Sequence, residues 1–333
     1  MNGSAQFLTH TLIALAAVLP TLGRDCVRAS EGMSVETTQS TITVSSDGVA
    51  LLVYNKRTPK IPAGIDPIYA RSGFLHPVHT PAGRVVTAAF PHDHPHQQGI
   101  FSAWVKTDYA GRSPDFWNAA AGTGRVFHER VVSTFQDQGQ AGFEVDLIHQ
   151  AARQPAIDVL RERWKVTAYA TDGNYRCFDL HTIQSALTDQ PLTVRKYHYG
   201  GMALRGPVEW LLKGDTDSKK GGVTDRELSG FLNDLKSSRI KGNHQPAKWV
   251  SLWGKIDGNS VSITVLSAKD NFRAPQPARL HPRKPYFCFC PCVASAFVID
   301  RDHPFEARYR YLVTDTAPDP QWLDEQWDRW MDH

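Results

Sequence analysis

Residues 159–187, VLRERWKVTAYATDGNYRCFDLHTIQSAL, contain two long runs of residues that favour β-strands. The runs Val159–Ala170 and Tyr175–Leu187 are rich in β-branched, aromatic and aliphatic side chains. The sequence DGN at 172–174 separates them, and its glycine supplies the positive φ that a tight turn needs. The stretch therefore predicts two antiparallel strands joined by a short connection.

The same pattern continues on both sides of this hairpin. Further strand candidates are Thr41–Ser45, Val49–Tyr54, Phe143–His149, Leu192–Tyr199, Val250–Lys255, Val261–Leu266 and Ala307–Thr314. Turn signals lie between neighbouring candidates, SDG at 46–48 and DGN at 257–259. Strands at this spacing without intervening helices argue for a sandwich and against a parallel βαβ sheet. We predict a mostly β fold, an antiparallel β-sandwich that extends from Thr41 to Thr314.

Two segments have helical spacing. Thr224–Lys236 places four apolar side chains on one stripe: Leu228, Phe231, Leu232 and Leu235. Near the C-terminus Asp319 is a capping residue and Pro320 suits the first helical position. The residues that follow at helical spacing are Trp322, Leu323, Gln326, Trp327 and Trp330. We expect these tryptophans to pack on the sandwich rather than to bind a ligand.

Composition excludes some classes of function. The 333-residue chain is 41% hydrophobic and 21% charged, with a formal net charge of +3. This balance is typical of a globular protein, and a chain of this length buries a large core without disulfides or metals. It has no dense stripe of Lys and Arg, so nucleic acids and anionic membranes are not indicated as partners.

Five cysteines are present, and three of them alternate near the C-terminus. Cys288, Cys290 and Cys292 would share one face of a strand, a spacing that also occurs at metal and redox sites. We favour the interpretation that they are small buried residues beside Phe287 and Phe289, because free cysteine is among the most buried residue types. No disulfide framework is evident.

The N-terminal region resembles an export signal in part. Leu12–Leu22 is an apolar run too short to span a bilayer, and VRA at 27–29 suits a cleavage site. The first ten residues lack the Lys or Arg that a signal normally carries. We expect residues 1–29 to be a signal peptide and residues 30–333 to be one exported domain, periplasmic or secreted. The alternative is a cytoplasmic protein that begins at Met33.

The densest polar segment is Pro91–Gly99, PHDHPHQQG. In an extended conformation His92, His94 and His96 would point to one side, where three imidazoles can bind zinc or another transition metal. We favour proton transfer by His94 or His96, because imidazole titrates near neutrality. In a third interpretation the histidines only pair with Asp93 and with backbone groups.

Other segments contribute polar and aromatic side chains that suit a sugar ligand. The substrate-binding candidates are His76, Trp104, Trp117, His198, Arg205, Asn271 and Arg273. The planar fork of Arg205 suits a hydroxyl, carboxylate or sulfate group, and the paired glycines at 200–201 permit close approach of the backbone. No GxGxxG, Walker A, GxSxG or HExxH motif is present, so no cofactor is predicted.

An ordered set of motifs resembles a family known as PmoA-like, or methane oxygenase PmoA. The motifs are SGFLHPVHTPAGRVVT, DHPHQQGIFSAW, DFWN, YHYGGMALRG, AKWVSLWGKIDG, KDNFRAP and PYFCFCPC. They extend over roughly Ala50 to Thr314. The resemblance implies a galactose-mutarotase-type supersandwich and an association with carbohydrate breakdown. It does not imply methane oxidation, because a particulate methane oxygenase subunit crosses the membrane several times and this chain has no such span.

The chain departs from that family in its histidine segment. The family commonly has a further histidine and then a basic residue where this sequence has Gln97 and Gln98. The change weakens the metal hypothesis and removes a positive charge. It suggests a different substrate or an inactive paralogue.

The leading hypothesis is a carbohydrate-active enzyme, an isomerase, lyase or hydrolase, that acts on a small molecule or an oligosaccharide. His94 or His96 would exchange the proton and Asp93 would orient an imidazole, so these three are the catalytic candidates. His76, His198 and Arg205 would hold the substrate, with Trp104 or Trp117 stacked on it. The alternatives are a non-catalytic carbohydrate-binding protein and a metal-dependent enzyme.

Overall fold

A computed structural model describes residues 1–3, 32–212 and 229–332. Strands dominate, and every strand pair within these residues is antiparallel. They form two eight-stranded sheets in a sandwich and one small three-stranded sheet. The predicted antiparallel β-sandwich is confirmed. Strands are numbered in chain order.

The first sheet carries the residues of the candidate site. Its strands, in spatial order, are β1 (Met33–Thr37), β2 (Thr41–Ser46), β3 (Val49–Asn55), β4 (Phe74–Val78), β5 (Ile100–Ala103), β12 (Gly201–Arg205), β17 (Tyr286–Phe289) and β16 (Ala278–Leu280).

The second sheet contains the longer strands. In spatial order they are β13 (Ser229–Asn233), β14 (Trp249–Ile256), β15 (Asn259–Ser267), β19 (Phe305–Thr314), β10 (Tyr175–Ala186), β9 (Ile157–Tyr169), β8 (Gln140–Ala151) and β7 (Gly124–Gln136).

The remaining elements are short. The third sheet contains β18 (Phe297–Ile299), β11 (Leu192–Val194) and β6 (Thr107–Asp108). Single 3₁₀ turns lie at Pro67–Tyr69, Val208–Trp210 and Pro291–Val293, and the α-helix α1 is Pro320–Met331.

The predicted turns close the hairpins. Asp47 and Gly48 join β2 to β3 with φ values of 51° and 75°. Asp257 and Gly258 join β14 to β15 with φ values of 50° and 79°. Positive φ at both central residues matches the right-handed twist of the strands, so these two-residue connections fix the register of each hairpin.

Aromatic side chains fill the space between the two large sheets. Tyr54 of β3 packs at 5.2 Å from Phe143 of β8 and at 6.2 Å from Trp164 of β9, measured between ring centroids. Phe289 of β17 stacks on Tyr309 of β19 at 5.5 Å. Such offset and edge-to-face contacts add to the free energy of burying the rings. The core therefore joins both sheets along their length.

Helix α1 begins where the sequence predicts it. The Asp319 carboxylate accepts hydrogen bonds from the backbone N–H groups of Gln321 and Trp322, which caps the first turn. Leu323 and Trp330 are buried against the second sheet, and Trp327 Nε1 donates to the Ser267 carbonyl. The tryptophans pack on the sandwich as expected.

The prediction of a helix at Thr224–Lys236 is wrong over its described part, which contains strand β13. Phe231 is buried in the core, whereas Leu235 is 56% exposed, so the apolar residues do not share one face. Gly230 lies against Trp253 of β14, where a Cβ would meet the indole at 2.8 Å. Pairing with β14 overrides the helical spacing. The strand predicted at Leu192–Tyr199 is likewise shorter and ends at Val194.

The alternating cysteines are buried, as predicted. Only Cys288 lies within β17, because that strand ends at Phe289. Cys290 and Cys292 follow it and bring their Sγ atoms within 3.4 Å. Cys26 and the predicted signal peptide lie outside the described residues. In the described part of the chain, no helix has the length and apolar character needed to cross a membrane.

Candidate functional site

The strand order explains how distant segments meet. In the first sheet Leu204 pairs with Ile100, Arg205 with Tyr286, and Leu280 with Phe287. Because these neighbours are antiparallel, the start of β5, the end of β12, the start of β17 and the end of β16 lie at one end of the sheet. The residues just before Ile100 and just after Leu280 therefore converge there.

The histidine segment before β5 forms two consecutive turns instead of an extended chain. The His94 N–H donates to the Pro91 carbonyl at 3.0 Å and the Gln97 N–H donates to the His94 carbonyl at 2.9 Å. The buried Gln98 side chain holds the loop, accepting from the Phe90 N–H and donating to the Pro95 carbonyl. Gln98 thus has a structural role and does not line the cleft described below.

These turns contradict the three-histidine metal alternative. His92 is exposed, whereas His94 and His96 are partly buried. A regular strand would have placed all three on one side, but the turns keep only His94 and His96 together, with ring centroids 5.4 Å apart, and leave His92 at the surface. Within the part of the chain that the structure describes, no group of three or more His, Cys, Asp or Glu side chains is arranged to hold a metal ion.

Gly99 is required at the end of this loop. Its φ is +54°, and a Cβ there would lie 2.0 Å from the Leu75 carbonyl oxygen. The backbone of Gly99 also accepts a hydrogen bond from the Arg205 N–H. The absent side chain therefore lets the histidine loop join β4 and β12 closely.

Arg205 clamps Asp93 and does not reach a ligand. Its fully buried guanidinium donates to both Asp93 carboxylate oxygens, at 3.0 and 2.7 Å, and to Gln97 Oε1 at 2.9 Å. Lys284 Nζ lies 3.5 Å from the same carboxylate. The predicted substrate-binding role of Arg205 is therefore wrong, although the structure does bring Arg205 and Asp93 together. The sequence does not show that Arg205 and Asp93, which lie far apart in the chain, form an ion pair.

Asp93 is held as a carboxylate. Burial alone would raise its pKa, but hydrogen bonds from His94 and Arg205 and the charges of Arg205 and Lys284 outweigh burial. The pKa of Asp93 therefore lies well below its ordinary value.

Ten residues line a cleft of about 150 Å³ above this ion pair. Four are imidazoles, three are aromatic and three are other polar groups: His94, His96, His198, His281; Trp117, Tyr199, Tyr286; Gln97, Asn118, Arg279. The structure thus brings together His94, His96, His198 and Trp117 of the predicted set. It adds His281 and Arg279, which sequence reasoning missed.

His94 has a defined tautomer. Its Nδ1 lies 3.2 Å from Asp93 Oδ2. An ionised carboxylate can only accept, so Nδ1 carries the hydrogen and neutral His94 presents a lone pair at Nε2. The Asp93 carboxylate also orients the ring, as a carboxylate does when it accepts a hydrogen bond from the other nitrogen of a catalytic histidine.

His281 has the opposite tautomer. Its Nδ1 accepts hydrogen bonds from the backbone N–H groups of Arg283 and Lys284, at 3.2 and 3.0 Å. The hydrogen of the neutral ring therefore lies on Nε2. Burial, followed by the charges of Arg279 and Lys284, lowers the pKa of His281 to about 3, so the ring stays neutral at physiological pH. His281 directly follows strand β16, but most of the other cleft residues lie far from it in the sequence, so the sequence does not show that they meet.

His96 stands between two cavities. It lines the cleft and also a neighbouring cavity of about 280 Å³ that contains Tyr69 and the buried Arg71. Burial, with the positive charges of His94 and Arg205, lowers the pKa of His96 to about 3. Neutral His96 suits hydrogen bonding to a ligand, and its low pKa makes it a weaker base than an unperturbed imidazole.

Aromatic rings form one wall of the cleft. Trp117 is only 1% exposed and packs edge-on against Tyr199 and Tyr286, at 5.3 and 5.9 Å. Its Nε1 is buried without a hydrogen-bond partner among the described residues. Asn118 accepts a hydrogen bond from the Tyr199 hydroxyl at 3.0 Å, and Asp115 orients the Asn118 amide. The DFWN motif and the segment before β12 are thereby tied together.

His198 lies in this second segment and also lines the cleft. Its carbonyl accepts a hydrogen bond from His244 Nε2 at 2.8 Å, which anchors the backbone. Burial, with the nearby charge of Arg279, lowers the pKa of His198.

Two other predicted site residues lie elsewhere. His76 lies in β4 with Nδ1 2.9 Å from Thr87 Oγ1, and it lines a separate depression beside Arg84. Trp104 is fully buried, donates from Nε1 to Gln184 at 2.7 Å, and therefore cannot stack on a ligand. Both predictions fail because residue type does not reveal which side of the sheet a side chain occupies.

Asn271 and Arg273 are structural rather than ligand-binding residues. Asn271 is buried, accepts from the Arg308 N–H and donates to the Arg308 carbonyl. Arg273 donates to the carbonyls of Pro291, Ser295 and Ala296. Their polar groups hold loops next to β19 and β18, and neither residue lines the cleft.

The molecule is thus an antiparallel β-sandwich protein with a histidine-lined cleft at one end of its first sheet. Residues 41–328 match the family described as "Family of unknown function (DUF6807)". The match includes most of the chain, so the protein belongs to this family. No curated protein matches the sequence.

Proposed function

We propose that the protein is a carbohydrate-active enzyme that moves a proton on its substrate, with His94 as the base and His281 as the acid. One observation carries the proposal: two imidazoles with opposite tautomers face one cleft. Their ring centroids are 6.2 Å apart, so one small substrate in the cleft can contact both rings. A base and an acid at about 2.6–3.2 Å from the reacting groups are what proton transfer requires.

The two imidazoles have different tasks. His94 Nε2 accepts a proton from the substrate, and the negative Asp93 stabilises the imidazolium that forms. The His281 Nε2–H donates to the oxygen on which negative charge develops. Because its pKa is about 3, His281 is neutral, and its N–H donates a hydrogen bond that polarises the substrate oxygen. Asp93 acts through His94 and is a positioning residue.

The cleft lining supports a sugar as the substrate. Trp117, Tyr199 and Tyr286 offer aromatic surface beside the amides of Gln97 and Asn118. An apolar wall with a few placed polar groups is typical of small-molecule sites. The resemblance to PmoA-like proteins and to mutarotase-type sandwiches agrees with this substrate class. We propose that the resemblance includes action on carbohydrates.

Isomerase or lyase chemistry is favoured over glycoside hydrolysis. Most glycosidases place two carboxyl groups on either side of the scissile bond, about 5–9.5 Å apart. No Asp or Glu is among the described residues that line this cleft, and the nearby Asp93 is held by Arg205. The available proton carriers are imidazoles.

The test uses wild-type protein and a panel of sugars and sugar acids in D₂O, followed by NMR. We expect deuterium incorporation at a sugar carbon, or an isomerised or unsaturated product. His94→Gln and His281→Gln should each lower the rate by about 10²–10⁴-fold, the usual contribution of a proton-transfer group.

His92→Gln is the matched control, because His92 lies in the same loop but is exposed. Its rate should equal that of wild type. Binding without exchange or product would contradict the proposal and favour a carbohydrate-binding protein. Equal rates in all variants would exclude the two imidazoles as the acid–base pair.

A further inference from the structure

The cleft contains a guanidinium, that of Arg279, whose charge no carboxylate of the described residues balances. Arg279 lies on the edge strand β16 and lines the cleft. Its Nη1 donates to Asn243 Oδ1 at 2.9 Å and to the Leu280 carbonyl at 3.2 Å. Asn243 Oδ1 also accepts from the Leu280 N–H, so the side chain is anchored in one position.

The rest of the Arg279 guanidinium is not satisfied. Its Nε is buried without a hydrogen-bond partner, and no carboxylate of the described residues lies within ion-pair distance. Arg273 offers a contrast, because three carbonyl groups take up its donors. A partly buried charge without a counter-ion is costly unless a ligand supplies one.

The two carboxylates beside the cleft are engaged by other groups. Asp93 is in ion-pair contact with Arg205 and Lys284. Asp115 accepts hydrogen bonds from the backbone N–H groups of Trp117 and Asn118 and from the Asn118 amide. Neither carboxylate contacts Arg279, whose charge lies near enough to lower the pKa of His281 and His198.

Two residues that line this cleft, Trp117 and His281, carry hydrogen-bond donors without an acceptor among the described residues. Trp117 Nε1 is buried and unpartnered, and the His281 Nε2 carries a hydrogen by the argument above. Together with Arg279 they form a set of donors without acceptors. A carboxylate provides acceptors only, in a planar arrangement that matches a guanidinium.

We propose that Arg279 is a specificity residue that binds a carboxylate of the substrate, so that the protein acts on sugar acids rather than on neutral sugars. This inference rests on the proposed function, since it names the substrate class of the same cleft. A single anchored guanidinium in a cleft of about 150 Å³ suits a monoanionic carboxylate better than a larger, doubly charged phosphate. The anion-binding role assigned to Arg205 from the sequence thus belongs to Arg279.

The first experiment needs no variant. Calorimetry would compare wild-type binding of glucuronate and galacturonate with their uncharged amides, glucuronamide and galacturonamide. We expect at least one acid to bind about 10- to 100-fold more tightly than its amide, as hydrogen bonds to charged groups predict. Equal affinity for acid and amide would overturn the inference.

The second experiment uses Arg279→Met and Arg279→Lys. Arg279→Met should remove the preference for the acid over the amide, while Arg279→Lys should retain part of the preference because it keeps the charge. Arg301→Met is the control, because Arg301 is a surface residue paired with Asp189. If Arg279→Met does not fold, Arg279→Lys and the wild-type comparison still decide the question.

The outcomes separate the two proposals. Tight, Arg279-dependent binding of the acid without proton exchange supports the carboxylate site and contradicts the enzymatic function. Turnover of neutral sugars that is unchanged in Arg279→Met supports the enzyme and overturns the specificity role. A tenfold preference for a sugar phosphate or sulfate over the carboxylate also overturns the proposed class.

Discussion

Two histidine–carboxylate pairs lie in different parts of this sandwich. His149 and Glu162 lie between the large sheets, both fully buried, with Nε2 and Oε2 2.6 Å apart. His94 and Asp93 lie at the cleft, 3.2 Å apart, with side chains 31% and 11% exposed. The chemical groups are the same, but their surroundings differ. Access and remaining partners, rather than residue type, therefore separate the structural pair from the pair that we propose takes part in proton transfer.

The remaining contacts of each carboxylate make the difference clear. Glu162 also accepts hydrogen bonds from Trp164 Nε1 and the Thr182 hydroxyl, both within the second sheet. Asp93 takes its other bonds from Arg205, and His94 keeps one edge toward the cleft. His149 Nδ1 has no hydrogen-bond partner among the described residues, but it is buried in the core. The two pairs therefore differ in access, because His94 lines a cleft that a ligand can enter.

The largest expected effect comes from breaking the buried pair. Glu162→Ala leaves His149, Trp164 Nε1 and Thr182 without their acceptor in the core. Removing one partner of a buried pair typically costs about 3–5 kcal/mol in the free energy of unfolding. Urea denaturation of Glu162→Ala and wild type measures the change. A loss below about 1 kcal/mol, the size expected for an exposed pair, would contradict the comparison.

The second prediction concerns the cleft pair. Asp93→Asn keeps the size of the side chain but removes the charge that Arg205 and His94 use. We expect a smaller loss of stability, about 1–3 kcal/mol, the usual value for hydrogen bonds to a charged group. Proton exchange should fall by at least about tenfold because His94 loses the carboxylate that orients it. Unchanged exchange with lowered stability would make Asp93 purely structural.

The fold could be predicted where local interactions decide it. The Asp319 cap, the proline that follows and the spaced tryptophans specify α1 within one short segment. The DG turns specify two hairpins in the same way. The helix predicted at Thr224–Lys236 failed because Phe231 and Leu232 fit either period, and pairing with β14, which no local signal reveals, decides for a strand.

The site was less predictable, since it depends on strand order. That β12 lies between β5 and β17 brings Arg205 to Asp93 and places His281 near His94. No local pattern encodes that order. Trp104 and Arg273 have residue types common in sugar sites, yet Trp104 is directed into the core just after β5, and Arg273 lies in a turn and binds loop carbonyls.

The third prediction separates the two regions by pH. His96 and His281 have folded-state pKa values of about 3, below the ordinary value of 6.5. The unfolded chain therefore binds more protons in this range, so these rings contribute stability that is present above about pH 6.5 and lost as the pH falls toward 3.

Glu162 acts in a lower window. Burial alone would raise its pKa, but hydrogen bonds from His149, Trp164 and Thr182 lower it to about 2. Its contribution is present above about pH 4.3 and lost below it.

Urea midpoints of His96→Gln between pH 4.5 and 6.5 should fall less with acid than those of wild type. The exposed His303→Gln is the control, and a wild-type slope in His96→Gln would refute the assignment.

The smallest effect should come from a third pair, which tests whether distance or burial sets the energy. His181 Nε2 and Glu306 Oε1 are 2.6 Å apart, the same separation as His149 and Glu162, but their side chains are 32% and 56% exposed. Water competes for both groups, so Glu306→Gln should change the free energy of unfolding by only about 0–1 kcal/mol. Glu306→Gln is measured under the same conditions as Glu162→Ala. The two variants then compare pairs that have the same separation but differ in burial. A loss of about 3 kcal/mol or more, the value of a buried pair, would mean that short contacts alone stabilise this sandwich. In that case the exposure of His94 would no longer distinguish the cleft from the core.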